Sequence, residues 1–407
     1  MKLLQKLAGS KLSPFKAALG VILYRPVLFF TPAPYRYMKR QSRIIYNSVF
    51  NALVRPKRSA ITTLLVPSEI CAALGISPLM IESLGGILGS LGMTNRFLHT
   101  VSQAGLPESL CTFHKMHLAF ALEGGFSAPR FTLAASALCD GNLRALQLFT
   151  DLTDSDFYFF DFPHPNQEGA VEYLAKQFED SYTKMASSMG IKNPIDRLKK
   201  AVGLSEEARK WLAAISERRK THHFPLTNEL IWSLAVISTS MGTKKAVALF
   251  RSLYKELCKK GKPIPPDTKR LLLIHLLPVY NHPVFERVFK KNVIISIEEY
   301  LYTNWPELDP ENPFESIAAR LLSWSVMAPV QERVNHLNTL IDEYEIDGVI
   351  SSSHWGCRQA DGPIHALQAR LKKPFLRIET DLVDSNSAST GQLSTRLEGF
   401  LEMIEAQ

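Results

Sequence analysis

Residues 347–359 read DGVISSSHWGCRQ, and this stretch carries the signal that decides the fold. Its apolar part, residues 348–351, is short and follows a turn signal, which is typical of a buried strand. Six other segments have the same character: residues 60–66, 131–136, 157–162, 271–277, 293–297 and 375–379. Longer segments with helical spacing lie between them. Strands that alternate with helices predict an α/β protein with parallel sheets.

The length of 407 residues predicts two α/β domains, because one core rarely serves so long a chain. Residues 166–262 read as almost continuous helix. We therefore predict two Rossmann-like or flavodoxin-like parallel-sheet domains joined by a helical segment, with a basic N-terminal helical extension. The predicted boundaries are 1–58 for the extension, 59–165 for the first domain, 166–266 for the helical connection and 267–407 for the second domain.

Positive charge is concentrated at the N-terminus. Residues 1–68 contain twelve Lys and Arg and no acid, so the net charge of +8 leaves 8 − 12 = −4 for the rest of the chain. Such an arm can contact nucleic acid, an anionic membrane surface or an acidic partner, but packing on its own protein is the better expectation. No specific nucleic-acid site is expected, because basic tails are common and unspecific. No transmembrane segment is expected, since charges and prolines interrupt the most apolar stretch, 15–34. The cytoplasm is the expected location.

The five cysteines are Cys71, Cys111, Cys139, Cys258 and Cys357. An odd number without a C-x-x-C pair argues against a disulfide framework and a zinc ribbon. Cys139 and Cys357 lie just past predicted strands, at the sheet edge where α/β proteins place ligands. Three thiolates from three loops suit an iron–sulfur cluster with one open iron. On spacing alone, however, three inert buried cysteines are the better interpretation.

A resemblance to a known family changes that interpretation. The stretch 347–359 with Gly362 resembles the signature around the third cysteine of the 2-hydroxyacyl-CoA dehydratase and benzoyl-CoA reductase family. PFLRIETD at 374–381 and GQLSTRLE at 391–398 resemble its last strand and helix. VPSEI at 66–70 and GISP at 75–78 resemble its first strand and turn, and FDFP at 160–163 is similar to a further part of the family pattern. The likeness runs from about residue 60 to the C-terminus.

The resemblance implies that Cys111, Cys139 and Cys357 hold a [4Fe–4S] cluster. Glu82 falls where some catalytic subunits place a glutamate beside the substrate, although a surface helix residue is an equal alternative. His354 and Arg358 flank the third cysteine and would contact the cluster or the thioester, or else fix their own loop.

Two features fall outside the family pattern. The family's serine three residues before the first proline is replaced by Leu64, which puts the usual substrate contact in doubt. Cys71 and Cys258 match no ligand position and are expected to be core residues.

The chemistry implied is oxygen-sensitive. One electron converts the CoA thioester of a 2-hydroxy acid to a ketyl radical, which loses the hydroxyl group. An ATP-dependent iron–sulfur activator supplies the electron, and this chain, which has no phosphate-binding loop, would be the acceptor. It would pair with itself or with a homologous subunit. The alternatives are a benzoyl-CoA reductase-like enzyme, a double-cubane-cluster ATP-dependent reductase, a non-catalytic iron–sulfur partner subunit and a simple zinc protein.

Overall fold

The computed structural model describes residues 12–223, 231–280, 284–285, 292–302, 305–387 and 389–406. All seven predicted strands are present among them, with ends shifted by up to four residues. The strands are β1 Ser59–Thr62, β2 Ser77–Met80, β3 Phe131–Ala135, β4 Asp156–Phe160, β5 His222–His223, β6 Lys262–Pro263, β7 Lys269–His275, β8 Val293–Glu298, β9 Gly348–Ser353 and β10 Phe375–Glu379.

Helices flank two parallel sheets. The helices are α1 Pro14–Phe30, α2 Arg36–Val54, α3 Ser68–Leu74, α4 Ile81–Ser90, α5 Thr94–Gln103, α6 Thr112–Leu122, α7 Asp140–Thr153, α8 Ala170–Ser188, α9 Pro194–Arg219, α10 Ile231–Ser240, α11 Lys244–Lys260, α12 Pro313–Leu322, α13 Val330–Glu343, α14 Arg358–Asp361, α15 Ile364–Arg370 and α16 Thr390–Glu405. The predicted α/β class with two parallel sheets is confirmed.

The two sheets have the same strand order, 2-1-3-4, when the strands of each sheet are numbered along the chain and the second sheet is read from its other edge. The first runs β2-β1-β3-β4 and the second β10-β9-β7-β8, and every neighbouring pair in both is parallel. The first sheet changes the direction of its strand order between β1 and β3, and the second does so between β7 and β9. Open α/β sheets bind ligands beyond the carboxyl ends of the strands at such switch points.

Strand β2 was missed by the sequence analysis, which interpreted Gly75 to Pro78 as a turn. Gly75 does form a left-handed turn, with φ of 72°. Pro78 lies within the strand that follows, at the edge of the sheet. An edge strand tolerates proline because one of its two rows of backbone groups needs no partner strand.

Apolar clusters cover both faces of both sheets. In the first sheet, one face packs on α3, α8 and α12 and the other on α2 and α4 to α7. In the second sheet, α16 covers one face and α13 with α15 the other. A further cluster joins α2 to α9, α10 and α11. Between residues 166 and 262 most of the described residues are helical, as predicted, while the domain boundaries themselves stay a prediction.

Helix α12 connects the two halves of the chain. Although it follows β8 of the second sheet, it packs against the first, where Arg320 forms a buried ion pair with Glu69 of α3. Ser205 Oγ also donates to Glu69 Oε1 at 2.7 Å. Burial would raise the pKa of Glu69, but Arg320 outweighs it and holds the pKa below its usual range. The pair fixes how the second half of the chain returns onto the first sheet.

The N-terminal region contains two helices, α1 and α2. Helix α2 buries Tyr37, Ile44 and Leu53 against the body of the protein. Lys2, Lys6 and Lys11 of the basic arm lie outside the described residues. Among the helices described, none is both long enough and apolar enough to cross a bilayer.

The two cysteines outside the predicted ligand set have different environments. Cys71 is fully buried in the first sheet's core, as expected. Cys258 is exposed, so its prediction as a core residue was wrong. Helix α11 turns the neighbouring Leu257 inward, and a residue one position along a helix points about 100° away.

Candidate functional site

A cavity of about 400 Å³ lies beyond the carboxyl ends of both sheets. Each switch point contributes to its wall: Leu64 follows β1, Cys139 follows β3, His275 ends β7 and Cys357 follows β9. Cys111 lines the same cavity from the loop before α6. The three predicted ligand cysteines, separated by up to 246 positions in the chain (357 − 111), are thus brought together at one place.

All three thiols occupy the position immediately before a helix. Cys111 precedes α6, Cys139 precedes α7 and Cys357 precedes the short α14. The backbone N–H of Asn142 donates to Cys139 Sγ at 3.3 Å. Unpaired N–H groups at a helix start favour negative charge, so these positions suit thiolates or a thiolate-bound group.

The three thiols differ in acidity. Burial raises the pKa of Cys111 well above its ordinary value, and nearby Cys357 and Asp381 add to the rise. Burial also raises the pKa of Cys139 to about 11, against the Asn142 hydrogen bond. Burial acts on Cys357 as well, but His275 outweighs it and lowers the pKa of this thiol. Cys357 is therefore the thiol that ionises most readily.

His275 was not singled out by the sequence analysis. Its Nδ1 lies 2.9 Å from the carbonyl oxygen of Ser352, so Nδ1–H donates there and leaves Nε2 facing Cys357 Sγ at 3.9 Å. Its backbone has φ of 68°, a left-handed conformation that non-glycine residues adopt at a cost and often at functional sites. The sequence signal that could have identified His275 is its position as a polar residue near the end of the predicted strand 271–277.

Glu82 lies in the first turn of α4 and faces the cavity. Its Oε1 accepts from Asn142 Nδ2 at 2.8 Å, and its Oε2 is shielded from solvent without a hydrogen-bond partner among the described residues. Burial raises the pKa of Glu82 to about 7. Asn142 therefore bonds Glu82 through its side chain and Cys139 through its backbone. The second carboxyl oxygen is thus buried beside the cavity.

His354 fixes the loop that carries Cys357. Its Nδ1 accepts from the Gly356 N–H at 3.0 Å, and its Nε2 lies 3.9 Å from Asp381 Oδ2. Burial lowers the pKa of His354, although Asp381 opposes this, so the imidazole is neutral at pH 7. Asp381 also accepts from Thr112 Oγ1 at 2.5 Å, which ties the loop after β10 to the residue following Cys111.

Arg358 lines the mouth of the cavity and forms an ion pair with Asp140. These residues directly follow Cys357 and Cys139, so the pair links two thiol-bearing segments of different sheets. Both side chains are exposed, at 80% and 75%, and pairs of this kind contribute little to stability. Arg358 thus places a positive charge at the rim of the cavity.

The three thiols are the candidate metal-binding groups of this cavity. In the part of the chain that the structure describes, no group of three or more His, Cys, Asp or Glu side chains is arranged to hold one metal ion. Soft thiolates bind zinc as well as iron–sulfur clusters, and a cluster needs each thiolate to bind a different iron.

Comparison with known proteins gives a consistent result. Residues 63–404 match the family described as 2-hydroxyglutaryl-CoA dehydratase, D-component. One of the subunits of the benzoyl-CoA reductase of Thauera aromatica is 22% identical over 339 residues, covering 74% of this chain and 78% of that protein. The (R)-2-hydroxyisocaproyl-CoA dehydratase alpha subunit of Clostridioides difficile is 18% identical over 395 residues, covering 90% and 97%. The resemblance seen in the sequence is confirmed.

Proposed function

Because this chain belongs to the 2-hydroxyglutaryl-CoA dehydratase D-component family, we propose that it is the iron–sulfur subunit of a 2-hydroxyacyl-CoA dehydratase-type lyase. Cys111, Cys139 and Cys357 hold a [4Fe–4S] cluster in this proposal. The observation that carries it is the convergence of these three thiols on one cavity at the switch points of both sheets.

A bound cluster of this kind would supply one electron to the thioester carbonyl and a Lewis-acidic iron to the departing hydroxyl group. The chain itself supplies the surroundings. Leu64, Leu138, Leu276 and Leu382 line the cavity with apolar surface. Such a wall keeps water from a reactive substrate radical and strengthens every electrostatic contact inside.

Glu82 is the proposed base for the proton at C3 of the acyl group. A pKa of about 7 leaves a substantial fraction ionised at neutral pH, which is the range in which a general base works best. Asn142 holds the carboxyl group through Oε1, and Oε2 is buried without a hydrogen-bond partner among the described residues. His354, neutral and held by Asp381 and Gly356, keeps Cys357 in place, and Arg358 is proposed to meet anionic groups of the CoA ester at the entrance.

The proposed partners are an acyl-CoA substrate, an ATP-dependent iron–sulfur activator and a homologous subunit or a second copy of this chain. Both relatives are named as subunits of larger enzymes, which supports an assembly. The cytoplasm is the proposed location.

A second candidate, a non-catalytic iron–sulfur partner subunit, is favoured by Leu64. This residue lines the cavity where the family pattern has a serine, and a leucine has no hydroxyl group to donate to a substrate. A benzoyl-CoA reductase-like activity is a further alternative, because one chain of such an enzyme matches most of this chain. The double-cubane reductase has less support, since only three thiols among the described residues line the cavity.

Anaerobic purification with iron and sulfide quantification, and EPR of the reduced protein, tests the proposal. We expect about four irons and four sulfides per chain, as one cubane requires. Cys357→Ala should lose or destabilise them. Cys258→Ala is the matched control, because it removes an exposed thiol that is not at the cavity.

Near-zero iron after anaerobic reconstitution would exclude the cluster. If iron is present, turnover of 2-hydroxyacyl-CoA esters by the chain with an activator and the candidate second subunit separates the catalytic proposal from the non-catalytic one.

A further inference from the structure

Helix α1 presents an apolar face to solvent. Phe30 is 86% exposed and Phe15 75%, and Ile22, Leu23 and Val27 are each more than 40% exposed. At 100° per residue these five side chains fall in one sector of about 140°. Isolated exposed apolar residues are ordinary, but five on one face of a 17-residue helix form a continuous patch.

The opposite face of α1 attaches the helix to the protein. Ala17 is buried in the cluster under the first sheet, and the Tyr46 hydroxyl of α2 donates to the Val21 carbonyl at 3.1 Å. Helix α1 is thus held in place on one side while its apolar sector stays uncovered on the other.

Positive charge lies at one end of this patch. The connection 31–35 is short, so the start of α2 lies beside the end of α1, where Val27 and Phe30 are found. At that start Arg36, Lys39 and Arg40 are exposed. No acidic residue occurs before Glu69 in the chain. The surface therefore combines an apolar stripe with basic side chains.

One acid from another segment reaches this region. Glu256 of α11 accepts hydrogen bonds from the backbone N–H groups of Arg36 and Tyr37, at 2.8 and 2.9 Å. Its carboxylate is thus engaged by the backbone at the start of α2, where unpaired N–H groups favour negative charge. The side chains of Lys39 and Arg40 extend one turn further along the helix and are exposed.

This combination fits an anionic lipid surface better than the other candidates. A nucleic acid would meet the basic side chains through its phosphates but leave the apolar stripe in water. A second copy packed through the same face would bring two all-basic segments together. A helix in the interface of a bilayer buries its apolar face while Lys and Arg contact acidic headgroups.

We propose that the exposed face of α1, together with the basic residues at the start of α2, binds the surface of an anionic lipid bilayer. The helix lies parallel to the membrane plane, since its other face is packed on the protein. The family match begins at residue 63, so this attachment belongs to a segment outside the matched region. The inference does not depend on the reaction proposed for the cavity.

Vesicle co-sedimentation of the full chain tests the proposal. We expect binding to vesicles that contain phosphatidylglycerol, weak binding to pure phosphatidylcholine, and a decline as added salt shortens the range of the charge attraction. Leu23→Glu/Val27→Glu should weaken binding at least about tenfold, since it removes apolar contact and adds repulsion. Leu152→Glu/Met403→Glu is the matched control, because both residues are exposed apolar side chains elsewhere.

A second pair of variants isolates the charge contribution. Lys39→Glu/Arg40→Glu should weaken binding to anionic vesicles at least about tenfold, because each basic residue near such a surface strengthens binding by roughly fivefold. Lys244→Glu/Lys245→Glu makes the same charge change on the exposed start of α11 and should bind as the wild type does. Circular dichroism of every variant confirms that the fold is retained.

Three results would overturn the proposal. The first is equal sedimentation of the wild type with and without anionic vesicles, and the second is equal binding by wild type and Leu23→Glu/Val27→Glu. The third is a fall in the mass of the assembly, measured by light scattering without lipid, when the α1 face is changed. That third result would show that the face covers another copy of the chain.

Discussion

Replacing Glu82 with glutamine should stabilise the protein while it abolishes the proposed proton transfer. Glutamine keeps the shape of the side chain and the acceptor oxygen for Asn142 Nδ2 but cannot ionise. In the folded protein burial raises the pKa of Glu82 from 4.5 to about 7, so the folded state binds this proton more tightly than the unfolded chain does. The wild type therefore loses stability as the pH rises from 4.5 to 7, and the full loss is present above pH 7.

The size of this effect follows from the two pKa values. A difference of about 2.5 units between the folded and unfolded states corresponds to about 3 kcal/mol at pH 8, and to only about 1 kcal/mol at pH 5. The stability advantage of Glu82→Gln over the wild type should therefore grow by about 2 kcal/mol between these pH values.

Urea unfolding of the metal-free wild type and Glu82→Gln at pH 5 and pH 8 measures that growth directly. Metal-free protein is used because a bound cluster would add its own pH-dependent stability. Glu108→Gln is the control, since Glu108 is an exposed carboxylate close in sequence to Cys111. A stability difference that stays constant from pH 5 to pH 8 would refute the reasoning, because it would mean that Glu82 titrates alike in the folded and unfolded chain.

Two further predictions concern the loop of Cys357. Gly356→Ala should reduce iron retention, because the added methyl group would collide with the backbone of the loop before Cys111. Gly391→Ala is the control, since a methyl group there meets open space and iron retention should match the wild type. Iron quantification after anaerobic reconstitution compares the two variants, and equal retention would contradict the close approach. His275→Phe should slow the alkylation of Cys357 by iodoacetamide several-fold at neutral pH in the metal-free chain, because it removes the group that lowers the pKa of this thiol. Mass spectrometry of the labelled peptide measures the alkylation rate. An unchanged rate would show that the imidazole does not act on Cys357.

The sequence was sufficient for the parts of the fold that depend on local pattern. Short apolar runs beside turn signals predicted seven strands, and the family signature predicted which three cysteines meet. Strand β2 was missed because the resemblance placed a turn at 75–78, and only the sheet order shows that a strand lies there at an edge. Cys258 was misplaced because helical spacing alone does not show which face of α11 meets the protein.

The contacts of the site itself could not be predicted, because they join residues far apart in the chain. Asn142 bonds Glu82 across 60 positions, and His275 faces Cys357 across 82. Each pair depends on the strand order of one sheet, which brings segments distant in the chain to the same sheet edge, and neither residue type is distinctive where it occurs. Asp381 was not among the predicted site residues, although it contacts both Thr112 and His354 at the cavity.

The unequal acidity of the three thiols has a consequence for how the site takes up iron. A thiol must lose its proton to bind a metal, so each binding step competes with that proton. Burial holds Cys111 and Cys139 in the protonated form, while His275 favours the thiolate of Cys357. In the proposed function, Cys357 would therefore bind incoming iron first. Positive iron beside Cys111 and Cys139 would then lower their pKa in turn, and the N–H groups at the starts of α6 and α7 are already oriented toward the negative charge that would form. The burial that disfavours these two thiolates in the metal-free protein would also shield a bound cluster from water.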